Sequence, residues 1–376
     1  MIFDVHHSKI EKLDSNNLVV LLKKLLHAEA QCIGIPLRGV SVPLQITTPD
    51  GGEDARFSIE IKWTEYLEQT NYLPSRFCIF QSKATNLRKA GWKKEVWTKD
   101  SQKRGSQKKL NEALKNVIAE NGFYIGFTSA SIGDQKKDEQ IEAIKQGIRE
   151  AGGNPDQLGI DIYDANKIAT WVSQYPAIAV WLNEQESELN LKSYETIESL
   201  GKILDISKVL LVEDKADRFQ IIENKERSSL SFHKVKERIV DYLADPRRTI
   251  RIYGASGLGK TRFVYEVFKD ETTTIKLSLS VSTIYCDLEK IGHKILSDVE
   301  SFSASSKLAL IIVDNCPRET AIKLNEIAKK ESSNLKIITI GNDNQPIDKD
   351  DCLNISVTPA DETLIEGIIR QRYPKS

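Results

Sequence analysis

A chain of 376 residues and 42.4 kDa is long enough for two domains. Hydrophobic residues make up 40% and charged residues 28%, which excludes a disordered or collagen-like chain. No apolar run approaches the roughly 18–20 residues of a membrane span, and the net charge of −1 names no partner until its distribution is read. The start, MIFDVHHSKIEKLD, lacks the basic, apolar and small-residue sections of a secretory signal. The five cysteines (Cys32, Cys78, Cys286, Cys316, Cys352) are scattered and form no C-x-x-C pair, so they support neither a disulfide framework nor a structural zinc site. A soluble protein of the reducing cytoplasm is expected. The histidines (His6, His7, His27, His233, His293) show no ligand spacing and receive no role.

In chain order, LVVLLKKLLHAEA (18–30) carries apolar residues at helical spacing. Strand-like runs follow at 57–63, 76–81 and 122–128. A polar helix over about 135–151 stops at Ala151-Gly152-Gly153. GIDIYD (159–164) reads as a strand, and 165–182 as a helix broken before Pro176. Residues 1–185 are therefore expected to form one α/β domain with a mixed sheet. Residues 186–230 are expected to link the domains, because Glu184 to Glu198 carries five acids against Lys192 alone. A second alternating region, 231–376, begins with a helix over 229–243 and the strand TIRIY (249–253). It continues with apolar strands at 308–314 and 335–340 and a helix at DETLIEGIIRQR. No internal repeat is present.

TIRIY runs directly into Gly254-Ala255-Ser256-Gly257-Leu258-Gly259-Lys260-Thr261, a G-x-x-x-x-G-K-T phosphate loop (Walker A) followed by a helical run. Gly254, Gly257 and Gly259 let the backbone curl so that successive N–H groups point at phosphate oxygens. Lys260 is expected to neutralise the β/γ-phosphates of ATP, and the Thr261 hydroxyl to bind Mg²⁺. LALIIVD (308–314) is an apolar strand ending in an acid, so Asp314 is the expected second support of that ion. Asn315 follows where many such proteins carry an acid; an amide takes no proton, so tight binding with slow hydrolysis is expected. A polar residue after 335–340, in Gly341-Asn342-Asp343, is a candidate γ-phosphate sensor.

In the first region, Asp50-Gly51-Gly52-Glu53-Asp54 precedes one strand and Gln81-Ser82-Lys83 ends the next. A carboxylate on one strand and Gln-x-Lys on its neighbour suit a shared Mg²⁺ held by Asp54 and Gln81, with the Ser82 carbonyl as a further donor. Lys83 would then stabilise charge on a phosphodiester. Glu29 is a candidate second carboxylate. From Lys83 to Lys109 there are ten Lys or Arg and two acids, with Trp92 and Trp97 interleaved. Such a stretch suits a polyanion, and Arg88, Lys89, Lys93, Lys94, Lys103 and Arg104 are the candidate DNA contacts. A solvated helical face, with the tryptophans as core anchors, is the plainer alternative.

The D-G-G-E-D and Q-S-K motifs resemble the Mrr-like branch of the PD-(D/E)xK restriction-endonuclease superfamily. GASGLGKTR (254–262) with LALIIVDN (308–315) is similar to STAND-type P-loop NTPases. Nuclease followed by STAND NTPase resembles the prokaryotic antiviral STAND proteins. The resemblance implies a restriction-endonuclease-like domain and a P-loop domain with a parallel sheet. It implies Mg²⁺-dependent cleavage of double-stranded DNA at Asp54, Gln81 and Lys83, with Glu29 matching a helix-borne acid. It also implies ATP-controlled homo-oligomerisation and a phage protein as trigger. The helical-repeat sensor of that family is not in this sequence, so the expectation is a fragment, or target recognition by another chain. Asn315 departs from the usual acidic pair. A nucleotide-controlled scaffold that grips DNA without cutting it is the alternative.

Overall fold

The computed structural model describes residues 4–43, 53–99, 108–185, 193–204, 218–223, 226–245, 247–268, 282–304, 309–331, 333–347 and 352–359. Two compact units divide after Ser173: Asp4–Ser173, and the described residues from Gln174 onward. Among the described residues no helix is long and apolar enough to cross a membrane.

The first unit has strands β1 (Val40–Ser41), β2 (Ala55–Ser58), β3 (Phe77–Lys83), β4 (Trp97–Lys99), β5 (Lys108–Leu110), β6 (Phe123–Thr128) and β7 (Gly159–Tyr163). Its helices are α1 (His7–Glu11), α2 (Ser15–Cys32), α3 (Lys89–Glu95), α4 (Glu112–Ala119), α5 (Asp134–Glu150) and α6 (Ala165–Val172). A mixed sheet runs β1-β2-β3-β6-β7, antiparallel as far as β3 and parallel from there; β4 and β5 form a separate ribbon. The expected strand at 57–63 is shorter, because the chain turns into a 3₁₀ stretch at Ile61–Gln69.

Helix α2 begins where the Asp14 side chain accepts from the Asn17 N–H at 2.7 Å. Leu18, Leu21, Leu22, Leu25 and Leu26 then recur at helical spacing and are buried. Each such leucine contributes roughly 1.5–3 kcal/mol. The stripe packs against β1, β2 and β3. On β3, period-two alternation sends Cys78, Phe80 and Ser82 to one face and Ile79, Gln81 and Lys83 to the other. Ile79 joins Trp92, Val96, Leu114, Tyr124, Ile144, Ile148 and Ile162 in one apolar cluster, built with residues of α3, α4 and α5. Trp92 packs over Gly126, where a Cβ would lie 2.7 Å from the indole, so the backbone there must stay bare.

The second unit opens with α7 (Pro176–Gln185), β8 (Tyr194–Thr196) and α8 (Ile197–Ile203), followed by β9 (Phe219–Glu223), β10 (Glu226–Leu230) and α9 (Phe232–Tyr242). Then come β11 (Thr249–Tyr253), α10 (Lys260–Phe268), β12 (Thr283–Asp287), α11 (Leu288–Ile291), α12 (Lys294–Ala304), β13 (Ala309–Asp314), α13 (Arg318–Ala328), β14 (Leu335–Gly341) and β15 (Cys352–Val357). The eight-stranded sheet is ordered β10-β9-β15-β11-β14-β13-β12-β8. Its five central strands are parallel, and β8, β9 and β10 add antiparallel edges. The parallel strands are buried on both faces, which is why they read as nearly continuous Ile, Leu and Val.

Two boundaries differ from the sequence reading. Pro176 opens α7, whose buried residues pack against β8 and β12 of the second unit. Of the stretch read as a connector (186–230), residues 193–204, 218–223 and 226–230 are described and contribute β8, α8, β9 and β10. Its acidity misled, because Glu195 alternates with the buried Tyr194 and Thr196 along an edge strand. The expected helix at DETLIEGIIRQR lies outside the described residues.

Candidate functional site

In the first unit the antiparallel register of Ala55 with Phe80 brings Asp54 level with Gln81. Gln81 Nε2 donates to Asp54 Oδ2 at 2.7 Å, and the Ser82 N–H donates to the same oxygen at 2.6 Å. Lys83 lies two residues on, and its Nζ meets Glu95 Oε2 of α3 at 2.9 Å. Gln81 is buried, and neither its Oε1 nor the Tyr124 hydroxyl has a partner among the described residues. Burial pushes the Tyr124 phenol well above its ordinary range, and Glu95 and Asp54 push it further. Sequence reasoning brought Asp54, Gln81 and Lys83 together and missed Glu95 and Tyr124. In the sequence Glu95 is one of two acids in a basic run, and Tyr124, on the next parallel strand, carries no local signal. Asp50, Gly51 and Gly52 lie outside the described residues.

Glu29 stands elsewhere. It occupies the buried stripe of α2, where one carboxylate oxygen accepts from Thr70 Oγ1 and the other from Trp171 Nε1, the latter at 2.6 Å. Trp171 meets Tyr163 edge-on, and Tyr163 meets Phe80 edge-on. Phe80 alternates with Gln81, so Glu29 belongs to the opposite face of the sheet from the Gln81 side chain. An acid on an apolar stripe was the signal; its cause is a buried indole that needs an acceptor.

Among the described residues of the basic stretch, Lys83, Lys89, Lys93 and Lys108 are paired with acids. Lys89 meets Glu139 at 2.9 Å, while Lys93 and Lys108 both bind Glu150. Arg88 and Lys94 are exposed. Trp92 is wholly buried, Trp97 packs at the edge of the same cluster, and Lys108 lies 4.7 Å from the Trp97 ring. The tryptophans are thus core anchors. Lys103 and Arg104 lie outside the described residues.

In the second unit, β11 feeds the glycine loop and α10 begins at Lys260, at the carboxyl edge of the parallel strands where such sheets bind ligands. Gly254, Gly257 and Gly259 have φ of 144°, 82° and 82°. A Cβ on Gly254 would strike the Val357 carbonyl at 2.5 Å, whereas Gly257 and Gly259 face open space. Positive φ at these positions is the backbone that curls a loop around phosphate. Lys260 is buried, and its Nζ donates to the carbonyls of Gly254 (2.9 Å) and Ala255 (2.7 Å). Burial lowers its pKa, and nearby Asp314 opposes that shift. Thr261 Oγ1 donates to Asp314 Oδ2 at 2.6 Å, and the Tyr285 hydroxyl donates to the same oxygen at 3.0 Å. Desolvation, with Asp314 next, pushes the Tyr285 phenol far up, so it remains a donor.

Sequence reasoning missed two arginines here. Arg251, fully buried on β11, bonds Asp343 Oδ2 at 2.7 Å and the Cys316 carbonyl at 2.8 Å. Asp343 returns its carbonyl to the Gly254 N–H at 3.1 Å, so a buried cation ties the candidate sensor segment to the loop. Arg218 donates to the Leu258 carbonyl at 3.1 Å.

Among the described residues no group of three or more His, Cys, Asp or Glu is arranged to hold a metal ion. An ion at either place would rest on one carboxylate and neutral oxygens: Asp314 with the Thr261 hydroxyl, or Asp54 with the amide of Gln81 and the Ser82 carbonyl. The unpartnered buried Gln81 Oε1 is such an oxygen. This donor set suits Mg²⁺, which keeps several of its own waters.

No protein-family model matches the chain, and neither does any curated protein. Among solved structures, PCH-2 of C. elegans is similar at 13% identity over 41% of this chain and 52% of its own, with a TM-score of 0.24. NtrX from Brucella abortus, solved in complex with ATP, is similar at 14% identity over 71% of this chain and 50% of its own, with a TM-score of 0.23. The chain spans about half the length of each. Likeness this faint carries no weight for fold or function.

Proposed function

We propose that the chain joins a Mg²⁺-dependent DNA endonuclease, in the Asp4–Ser173 unit, to an ATP-binding P-loop switch in the second. The Thr261–Asp314 contact of 2.6 Å, at the end of the glycine loop, is the observation that supports nucleotide and Mg²⁺ binding most directly. The nuclease reading is carried by the Asp54–Gln81 bond of 2.7 Å, with Lys83 two residues on. Asp54 and Gln81 hold the cation, and Lys83 neutralises the charge that grows on the scissile phosphate. Bound Mg²⁺ supplies a Lewis acid and an activated water. Glu95 fixes the Lys83 ammonium at the sheet edge. Arg88 and Lys94 grip the DNA backbone from α3 and its N-cap.

In the second unit Lys260 exchanges its two loop carbonyls for the β/γ-phosphates. Following the STAND resemblance, ATP favours an assembled state in which nuclease units act on both strands, with a phage protein as trigger in antiviral defence. A ligand shifts such an equilibrium only by its preference for the assembled form. Supercoiled plasmid incubated with Mg²⁺, with and without ATP, tests the reading. Wild type nicks or linearises it, and Lys83→Ala leaves it intact while binding ATP normally; undiminished cutting by Lys83→Ala would remove the nuclease assignment. Lys260→Ala loses nucleotide binding and keeps the first unit folded.

The single carboxylate at Asp54, with Glu29 engaged on the other face, favours a second reading: a scaffold that grips DNA under nucleotide control without cutting it. Mg²⁺ titration by calorimetry separates the two. The nuclease binds the ion and Asp54→Ala does not; the scaffold shows no difference.

A further inference from the structure

Three strand ends meet beside the glycine loop, and they carry three carboxylates and two amides: Asp287, Asp314, Asn315, Asn342 and Asp343. Two of the carboxylates are committed. Asp314 takes Thr261 and Tyr285, and Asp343 takes the buried Arg251. Asp287, the last residue of β12, takes only neutral donors among the described residues: the Glu289 N–H and Asn315 Nδ2, each at 3.0 Å from its Oδ1. Asn315 is in turn gripped from the other side, where Asn342 Nδ2 donates to its Oδ1 at 3.0 Å. An ionised carboxylate only accepts, so Asp287 dictates which end of the Asn315 amide is nitrogen. The Asn315 backbone sits at φ 50°, a left-handed conformation that non-glycine residues seldom adopt, and its N–H closes on Asp314 Oδ1 at 2.8 Å. The side chain that replaces the usual acid is therefore held in one orientation by residues of both neighbouring strands, with one N–H still able to donate.

We infer that Asn315 orients the water that attacks a bound nucleoside triphosphate, and that Asp287 is the positioning residue that fixes the Asn315 amide for that task; this rests on the nucleotide-binding reading above. The water oxygen bonds to the γ-phosphorus, and the bond to the β–γ bridging oxygen breaks with its electron pair leaving on the diphosphate. The water's proton passes to a γ-phosphate oxygen, because an amide accepts none. An amide positions water without removing its proton, so turnover is slow.

The full chain tests this with three readouts: affinity for ADP, affinity for ADP with aluminium fluoride (a mimic of the phosphoryl group in flight), and single-turnover hydrolysis of ATP. Asn315→Ala and Asp287→Ala are expected to keep ADP affinity within about twofold, yet lose about tenfold or more in fluoride-complex affinity and in turnover, the scale of a misplaced reacting group. Asp287→Asn keeps an acceptor oxygen for Asn315 and an N-cap for α11, and is expected to stay near wild type in all three. If Asp287→Asn is as impaired as Asp287→Ala, the carboxylate acts by its own charge or basicity and the inference falls. Wild-type behaviour of Asp287→Ala and Asn315→Ala, or a wild type that binds ATP without ever hydrolysing it, also overturns it. A wild type that binds no nucleotide removes the reading beneath it instead.

Discussion

Gln81→Glu is the substitution that tests the first unit's site most sharply. In the wild type, Gln81 Nε2 donates to Asp54 Oδ2 at 2.7 Å. A carboxylate in its place removes that donor and sets two like charges at contact distance in a buried position. A hydrogen bond to a charged group is worth roughly 1.5–3 kcal/mol, and the added repulsion brings the cost to roughly 2–4 kcal/mol. For a unit of this size the shift is about 5–15 °C in melting temperature. The sign with pH follows from the same geometry. The introduced carboxyl has its folded pKa raised above its unfolded value of about 4.3. Its destabilisation is therefore absent at low pH, where the protonated acid donates to Asp54 as the amide did, and grows as pH rises through the raised value. Mg²⁺ reverses the balance, since two carboxylates bind it better than one. Calorimetric melting with and without Mg²⁺ is expected to show a variant less stable than wild type in the apo form and much more strongly rescued by the ion. A variant that melts like wild type without metal refutes the Asp54–Gln81 contact, and one that Mg²⁺ does not rescue refutes the metal site.

Four further perturbations probe other parts of the molecule. Trp171→Phe withdraws the indole donor from Glu29 Oε2 and is expected to cost about 1–3 kcal/mol in urea unfolding. Glu29→Gln is expected to leave Mg²⁺ affinity in calorimetry unchanged, and a lost ion would return Glu29 to the metal site. Gly126→Ala drives a Cβ to 2.7 Å from Trp92 and is expected to lose about 1–3 kcal/mol by overpacking, read as a lowered urea midpoint. Lys336 is buried on β14, and desolvation, opposed by Asp245, brings its pKa from 10.5 down to about 8. The folded state binds fewer protons there, so stability rises between pH about 8 and 10.5 by up to about 3 kcal/mol. Lys336→Met is expected to flatten that rise and to raise stability at neutral pH.

What the residues disclosed depended on how local the cause was. TIRIY, ALIIVD and LKIITI are buried on both faces, so composition alone places them at β11, β13 and β14. The glycine loop is equally local, because positive φ at Gly257 and Gly259 is a property of the loop itself. Strand order is not local. Inserting β14 between β11 and β13 sets Asn342 beside Asn315, and nothing in either segment announces the other. Nor did the acids of 184–198 disclose that β8 closes one edge of the second sheet, since an edge strand shows solvent one face and the core the other. The Asp54–Gln81 pairing was legible because two short motifs flank neighbouring strands. Glu29 was less legible, because an acid on an apolar stripe has two causes, a ligand role or a buried donor, and its donors Thr70 and Trp171 lie 41 and 142 residues away.

The basic stretch shows how a linear count of charge differs from a surface. Its excess of positive residues is real in the sequence, yet folding sets Glu139 and Glu150 of α5 against Lys89, Lys93 and Lys108, and Glu95 against Lys83. These pairs are at least partly exposed, and such pairs contribute only about 0–1 kcal/mol each. On the proposed nuclease reading, a phosphate backbone would compete with partners held that weakly, so pairing would not prevent a grip on DNA. It does make the grip conditional. Each lysine recruited must first leave a glutamate, and the glutamate left behind repels the same phosphates. On the proposed nuclease reading, Arg88 and Lys94, which are exposed, would carry the initial encounter, and the paired lysines would follow only when the duplex is close enough to replace what they lose.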